Sequence, residues 1–298
     1  MADTLVVVNP RAGRGSAAKV VVQQLAEAGL DADVASTTHP GHGIELARKA
    51  RADGAGLVIA AGGDGTIHEV VNGLLADGAD GPVPQLGVLP LGSGCDYAKT
   101  FDISPDPGAA LGQIITSAGR AVDIAELTYN EPHSVATRYF ANIAEVGIGG
   151  SCVARAARLP RFLGPAMYGV AFLLTLPRFK QLHAKITLDD QTYEGPLTDL
   201  VVAIGRVFGG GMRVAPKADP SDGVFDVQIH FGTKVDYVRG LPKVYKGTHL
   251  PHPRIAEHHA TTISIECDPV GLIEADGEVL GTTPATFRIV PGALTLRG

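Results

Sequence analysis

Residues 57–66, Leu-Val-Ile-Ala-Ala-Gly-Gly-Asp-Gly-Thr, carry an apolar run that stops at three glycines set around one carboxylate. The run has the length of a buried parallel strand. The apolar periodicity of Ile67–Leu75 predicts a helix directly after it. Glycine lets backbone approach a ligand closely. The first turn of a helix presents unpaired N–H groups that attract an anion. A strand, a glycine turn and a helix in this order predict a phosphate cradle with Asp64 inside it.

The surrounding pattern extends this unit. Strands are expected at Leu5–Val8, Asp31–Ala35, Leu57–Ala61 and Gln85–Leu89, and helices at Ala17–Ala28, Gly43–Ala52, Ile67–Leu75 and Pro107–Ala118. Alternating strands and helices imply an α/β domain with a mostly parallel, doubly wound sheet. Such sheets bind ligands at the carboxyl ends of their strands. Beyond about residue 125 short alternating runs take over, at Tyr139–Ile143, Ala184–Leu188, Leu200–Ile204, Val224–His230, Thr262–Glu266, Leu272–Ala275, Ala285–Ile289 and Leu294–Leu296. Gly, Pro, Asp and Asn punctuate them, the signature of an antiparallel β-sandwich or barrel. Helices interrupt it at Ala166–Phe179 and about Val235–Lys246. The expected domains are 1–125 and 126–298, with room for the last strand to return to the first.

Hydrophobic residues make up 45% of the 298 and charged residues 19%, enough for a sizeable core. The net charge of −6 argues against a nucleic-acid partner, which calls for a basic stripe. Cys95, Cys152 and Cys267 are far apart with no CxxC pair, so neither a disulfide framework nor a zinc site is expected, and a reducing cytoplasm fits. The Leu5–Val8 strand starts where a signal peptide would lie. The longest apolar stretch, Ala166–Leu176, falls short of the roughly 20 residues that span a bilayer.

Three more segments bear chemistry. Asn9-Pro10-Arg11-Ala12-Gly13-Arg14-Gly15 follows the first strand, combining glycines, two arginines and a helix start. It has neither the Lys-Ser/Thr of a Walker A loop nor the GxGxxG spacing. Leu89-Pro90-Leu91-Gly92-Ser93-Gly94-Cys95-Asp96 follows the fourth strand, with a Ser93 hydroxyl for a phosphate and an Asp96 carboxylate that serves equally as a helix N-cap. Asp276-Gly277-Glu278 is first of all a hairpin turn. Asp64 suits Mg²⁺ binding or general-base work, and Glu69 reads also as a first-turn acid complementing its own helix dipole. His249, His252, His258 and His259 are irregularly spaced among prolines and read as a surface loop rather than a metal site.

Together these segments resemble the diacylglycerol kinase catalytic family, in particular its soluble bacterial lipid kinases, with which sphingosine and ceramide kinases share a catalytic pattern. The matching residues are Asn9–Gly13, Gly62–Thr66 with Glu69-Val70-Val71-Asn72-Gly73, Leu89–Gly92 with Asp96, Tyr139–Asn142 leading to Gly147 and Gly150, Gly247-Thr248-His249 with His252-Pro253, and Asp276-Gly277-Glu278. The resemblance implies an NAD-kinase-like α/β domain binding ATP and Mg²⁺, followed by a β-sandwich domain for the lipid. It implies that Asn9, Pro10, Arg11, Ala12, Gly13, Thr37, Gly62, Gly63, Asp64, Gly65, Thr66, Glu69 and Ser93 line the nucleotide. Asp64, Asp96, Asp123 and Asp276 would form an acidic network holding Mg²⁺ and water, and the Asp276–Glu278 loop would supply the general base. A structural Mg²⁺ would sit on Asp219–Val224, with a carboxylate from Asp222 and carbonyls from Asp219 and Val224.

The implied reaction is γ-phosphoryl transfer from ATP to a membrane lipid hydroxyl, diacylglycerol foremost, with peripheral membrane contact. The acyl part would enter a hydrophobic pocket between sandwich and cleft. The segment Arg155–Phe179, with Arg161, Phe162, Leu163 and Met167, reads as a covering helix, lipid contact being its alternative. A homodimer is left open. Two positions depart from the family pattern: Ser93 stands where Thr is usual, and Cys95 where Asn is usual. A thiol cannot both donate and accept as an amide does. The alternatives are an NAD-kinase-like enzyme and a homologue that binds nucleotide or lipid with weak catalysis.

Overall fold

The computed structural model describes residues 3–92, 94–160 and 166–298, apart from the side chains of Arg14 and Ala166. The chain forms two compact units, one of Met1–Ile124 with Gly292–Gly298 and one of Ala125–Pro291.

The first unit runs β1 (Thr4–Val8), α1 (Ala17–Ala28), β2 (Asp33–Ser36), α2 (His42–Ala52), β3 (Leu57–Gly62), α3 (Asp64–Leu74), β4 (Gln85–Pro90), α4 (Asp96–Thr100) and α5 (Pro107–Thr116). The strand β5 (Arg120–Asn130) leaves it, and the end of β15 (Glu278–Arg297) comes back to it. The order across the sheet is β2-β1-β3-β4-β15, all parallel. Every residue of β1 and β3 is buried, as their unbroken apolar runs require. The chain moves outward from β1 to β2, returns past β1 to β3 and continues the other way to β4. The crevice at the carboxyl ends of β1 and β3 is therefore the switch point at which such sheets take ligands.

Helix α3 begins at Asp64, three residues before the expected start, because extended Gly63 is its N-cap and the whole Asp-Gly-Thr segment is helical. Helices α2 and α3 pack so closely that a Cβ on Gly73 would run into the Ile44 carbonyl and the Ala47 methyl.

The second unit contains β6 (Val135–Phe140), β7 (Ile143–Gly147), α6 (Ile148–Ala156), α7 (Ala166–Thr175), β8 (Leu182–Leu188), β9 (Gln191–Leu197), β10 (Asp199–Ala203), β11 (Phe225–His230), α8 (Lys234–Lys246), β12 (Ile255–Ala260), β13 (Thr262–Asp268) and β14 (Leu272–Ala275). One run of neighbouring strands is β12-β11-β10-β7-β14-β15 and another is β6-β5-β15-β13-β8-β9, with β15 common to both. A core built on Tyr129, Phe140, Phe225 and Phe287 joins residues from both runs. Phe140 stacks on Phe225 at 6.3 Å and meets Phe287 edge-on at 6.2 Å.

Several expectations are corrected. Tyr139–Ile143 is not one strand: β6 ends at Phe140 and β7 starts at Ile143, because the N–H groups of Ala141 and Asn142 turn to the Asp276 carboxylate. Ala285–Ile289 and Leu294–Leu296 belong to one strand, β15, which passes through Pro291-Gly292 from the second unit to the first. Helix α7 ends at Thr175, not Phe179. Strands β5, β9 and β12 were not expected; their polar residues dilute the apolar alternation. His258 and His259 lie in β12 rather than a loop, and His249 is buried with Nε2 3.1 Å from the Val214 carbonyl.

The packing predicts two opposite outcomes. Gly73→Ala should cost about 1–3 kcal/mol by overpacking. Gly112→Ala, in α5 with no atom within 4 Å of the added methyl, should gain about 0.5–1 kcal/mol. Urea unfolding of both variants measures each sign.

Candidate active site

Three turns meet at the carboxyl ends of β1, β3 and β4. The Asn9 N–H donates to the Ala61 carbonyl at 3.0 Å, the Gly13 N–H to Leu91 at 2.9 Å and the Leu91 N–H to Gly62 at 2.8 Å. Asn9 Oδ1 accepts from the Arg11 N–H at 3.0 Å and shapes the first turn. That turn closes through a short 3-10 segment, Gly13–Gly15, before α1, rather than opening straight into the helix. The second and third turns touch backbone to backbone: a Cβ on Gly92 would lie 2.5 Å from the Gly63 Cα. Only glycine permits that approach, and it leaves a crevice walled by peptide groups. Arg11 and Gly65 are exposed, and Asp64 is half-buried. Ser93 lies outside the described residues.

Asp64 is the first residue of α3, where a carboxylate complements the helix dipole. Its Oδ1 accepts from the Tyr97 N–H at 3.0 Å, tying α3 to α4. Asp96 is the first residue of α4 and not its N-cap; its Oδ1 accepts from Lys99 Nζ at 2.8 Å. The N-cap is Cys95, left-handed at φ 50° with no side-chain cap. Its thiol donates to the Gly92 carbonyl at 3.3 Å and reaches that of Gly62 at 3.9 Å. Burial first, then the Asp64 charge, pushes the Cys95 thiol up to about 11. The left-handed conformation costs an ordinary side chain roughly 1–2 kcal/mol and suits Asn far better. Cys95→Asn should therefore stabilise the protein by about 0.5–1 kcal/mol, read as a higher urea midpoint.

Other expected ligands take structural posts. Glu69 does not serve its own helix dipole: Oε1 accepts from the Gly41 N–H and Oε2 from the Gly43 N–H, both at 2.8 Å, so it caps α2. Buried Asp123 accepts the Gly292 N–H at 2.8 Å and holds the returning end of β15. The Thr37 N–H donates to the Val8 carbonyl at 2.8 Å, beside the first turn.

In the second unit Asp276 and Gly277 both have positive φ, as a tight hairpin between β14 and β15 requires. The Asp276 carboxylate accepts from the Ala141 and Asn142 N–H groups, each at 3.0 Å, and so clamps the β6–β7 turn. Glu278 is exposed at the start of β15. In the Asp219–Val224 loop, Asp219 Oδ1 accepts from the Ser221 N–H at 3.1 Å and hydroxyl at 2.6 Å, and Asp222 Oδ1 accepts the Val224 N–H at 3.1 Å.

Among the described residues no group of three or more His, Cys, Asp or Glu side chains could hold a metal ion. The donors that are present fit Mg²⁺ as hard oxygens. That ion typically takes one or two carboxylates, water and substrate phosphates rather than a protein cage.

The second unit also holds a cavity of about 330 Å³ whose wall includes Ile148, Val153, Phe172, Phe208, Met212 and Val214. Glu145 and Asp199 line it, on adjacent strands. Glu145 stands directly opposite Glu274 across β7 and β14. The register puts all three carboxyls on one face of the sheet, with Ala144, Val146, Leu200, Val202, Ile273 and Ala275 facing the core on the other. Asp199 Oδ1 accepts the Gly149 N–H at 3.2 Å and Glu274 Oε2 the Gly277 N–H at 3.0 Å. Glu274 Oε1 and the Tyr237 hydroxyl are buried without a hydrogen-bond partner.

Burial pushes the Glu145 carboxyl up to about 7. It also raises Asp199 and Glu274 well above the carboxylate range, with the Glu145 charge adding to both. His230, at the cavity wall, is pushed by burial down to about 3 and is neutral at pH 7. These carboxyls escaped the sequence reading. Their one signal is an acid inside a buried apolar run, Ala144-Glu145-Val146 and Ile273-Glu274-Ala275. Of the segment expected to cover this unit, Arg161, Phe162 and Leu163 lie outside the described residues; Leu173 and Leu174 of α7 are exposed.

The chain belongs to the diacylglycerol kinase family. Residues 3–127 match the diacylglycerol kinase catalytic domain, and residues 142–298 match the YegS C-terminal NAD kinase β-sandwich-like domain. It is a phosphotransferase with an alcohol acceptor. It is similar to a probable lipid kinase YegS-like of Pseudomonas aeruginosa, 30% identical over 97% of this chain and 92% of the relative. A diacylglycerol kinase of Bacillus subtilis is 28% identical over 95% and 91%. In fold it resembles the crystal structure of a putative diacylglycerol kinase from Bacillus anthracis, with a TM-score of 0.79 at 24% identity over 99% of this chain and 96% of that one. It also resembles yeast NADH kinase, more distantly, with a TM-score of 0.51 at 9% identity over 98% and 82%.

The raised carboxyl predicts a pH effect. A folded value of about 7 against an ordinary 4.5 means that the folded state holds a proton the unfolded state gives up. Stability is then full below about pH 4.5 and declines toward about pH 7. Glu145→Gln should shrink the loss of thermal midpoint between about pH 5 and pH 8, measured by circular dichroism.

Proposed function

We propose that this lipid kinase transfers the γ-phosphoryl group of ATP to the hydroxyl of a neutral membrane lipid, diacylglycerol foremost, with Mg²⁺ as cofactor. The observation that carries the reading is the peptide-walled crevice at the β1/β3 switch point, with Asp64 at its helix N-terminus. Phosphoryl transfer needs positioning and charge neutralisation above all. Asn9, Pro10, Arg11, Ala12, Gly13, Thr37, Gly62, Gly63, Gly65, Thr66 and Ser93 would lie along the nucleotide, with Arg11 adding positive charge. Glu69 would act by holding α2 in place.

Mg²⁺, when bound, would neutralise phosphate charge; Asp64, with Asp96 and Asp123 of the same unit, would hold it and its water, and Asp222 with the Asp219 and Val224 carbonyls a structural ion. In the transfer the acceptor oxygen bonds to the γ-phosphorus and the bond from that phosphorus to the ADP oxygen breaks. The Asp276–Glu278 turn would receive the hydroxyl proton, with Asp276 fixing the turn and Glu278 exposed beside it. The apolar cavity of the second unit supports an acyl-bearing acceptor. No helix among the described residues is long and apolar enough to cross a membrane. The acceptor would therefore be met at a membrane surface, on the cytoplasmic side where free cysteines persist.

Labelled ATP offered with diacylglycerol, sphingosine, phosphatidylglycerol and NAD tests the reading. Label in diacylglycerol is expected; label in NAD alone overturns it, and ATP binding without transfer points to a weak catalyst. Asp64→Asn keeps an acceptor for the Tyr97 N–H and so should stay folded, while transfer falls at least about a thousandfold, about 4 kcal/mol of barrier.

A further inference from the structure

Helix α8, Lys234–Lys246, has no fully buried residue along its thirteen positions. At about 100° per residue its apolar residues form one arc of about half the circumference. The inner part of the arc carries Tyr237, Leu241 and Val244, which line the cavity, with Tyr245 at its edge, 42% exposed and also bordering the cavity. The outer part carries Val235 and Val238, 54% and 52% exposed, with Pro242 between them. A helix that only covered a core would carry polar residues there.

Three cations, Lys246, Arg239 and Lys243, follow the outer edge of the arc, the last two also bordering the cavity, and Lys234 opens the helix. The one acid, Asp236, lies toward the inner side, where it accepts from the Thr233 N–H at 2.7 Å and pairs with Arg254 at 2.9 Å. Among the described residues Arg239, Lys243 and Lys246 have no carboxylate partner. Lys234 Nζ donates to the Pro177 carbonyl at 2.7 Å, and Phe172 meets Tyr237 with rings 6.2 Å apart, so the helix adjoins the α7 segment with its exposed Leu173 and Leu174.

We propose that α8 is the surface on which this protein docks to an anionic lipid bilayer, Val235, Val238 and Tyr245 entering the headgroup layer while Arg239, Lys243 and Lys246 meet lipid phosphates. The occupant follows from charge. A chain of net charge −6 is repelled by an anionic bilayer everywhere except where cations gather, and valines among lysines on one helix face form an interfacial helix. The same helix closes one side of the cavity, so docking would set the cavity against the membrane that holds the acceptor. In that purpose the inference rests on the lipid-kinase reading.

The test is co-sedimentation of the full chain with vesicles of phosphatidylcholine alone and of an equal mixture with phosphatidylglycerol. The wild type should partition onto the mixed vesicles and far less onto neutral ones. The combination Val235→Ser, Val238→Ser and Lys246→Gln should cut that partition at least about tenfold, about fivefold coming from the lysine alone. Its activity on lipid in detergent micelles should be unchanged. If the triple variant misfolds by circular dichroism, Lys246→Glu, one exposed side chain, should still lower partition about 25-fold, two charges at about fivefold each.

Equal partition of wild type and variant, equal partition onto both vesicles, or no partition of the wild type overturns the proposal. So does a dimer in sedimentation velocity that the same substitutions dissolve, which would make α8 a subunit contact. Micellar inactivity of the wild type would sink the kinase reading while leaving the vesicle result to judge α8.

Discussion

The approach of Gly63 to Gly92 is the contact on which the first unit's chemistry depends. Two turns at the ends of adjacent parallel strands meet this closely because Gly92 carries no side chain: a Cβ there would lie 2.5 Å from the Gly63 Cα. The register of β1, β3 and β4 brings the three turns level, and backbone hydrogen bonds from Asn9, Gly13 and Leu91 stitch them together. Asp64 then has little freedom: its backbone starts α3 and one of its oxygens holds the start of α4. The acid that would serve phosphate chemistry also joins two helices.

The second unit makes its sheet serve two ends. One face of β7, β10 and β14 packs into an ordinary apolar core, while the other carries three carboxyls, two of which, Glu145 and Asp199, line a cavity. Two glutamates directly opposite each other repel when both are charged. Burial relieves this by favouring the protonated forms, which donate hydrogen bonds instead of repelling. A wall whose carboxyls are biased toward their protonated forms, inside an apolar cavity, suits an acceptor with oxygen atoms on a hydrocarbon body. Helix α8, with an apolar arc only partly turned to the protein and a basic edge beside it, borders that cavity.

Much of the first unit was legible because its signals are local. Apolar runs named β1, β3 and β4 almost to the residue, and the glycine turns named the crevice. Glu69 and Asp123 hold structural posts that their local sequence does not show, because their partners are distant: the α2 N-terminus is 26 and 28 residues from Glu69, and Gly292 is 169 from Asp123. Asp276 was seen as a hairpin residue, but its hold on the β6–β7 turn, which splits Tyr139–Ile143 into two strands, depends on contacts across more than a hundred residues. Cys95 was noticed for its chemistry; its left-handed backbone, the physical reason Asn suits the position, is a property of the folded turn.

By itself the sequence determined the class of each half, the family and the glycine turns at the strand ends, since all of these rest on short-range periodicity and glycine placement. Tertiary structure alone decided which carboxylates are spent on backbone N–H groups and which face a cavity. A carboxylate has the same local signature in either role, and only burial and the partners brought by distant strands distinguish them. The same holds for α8: its pattern predicts a helix, but which part of its apolar arc meets the protein and which is left outward was settled only when the second unit packed against one part of it.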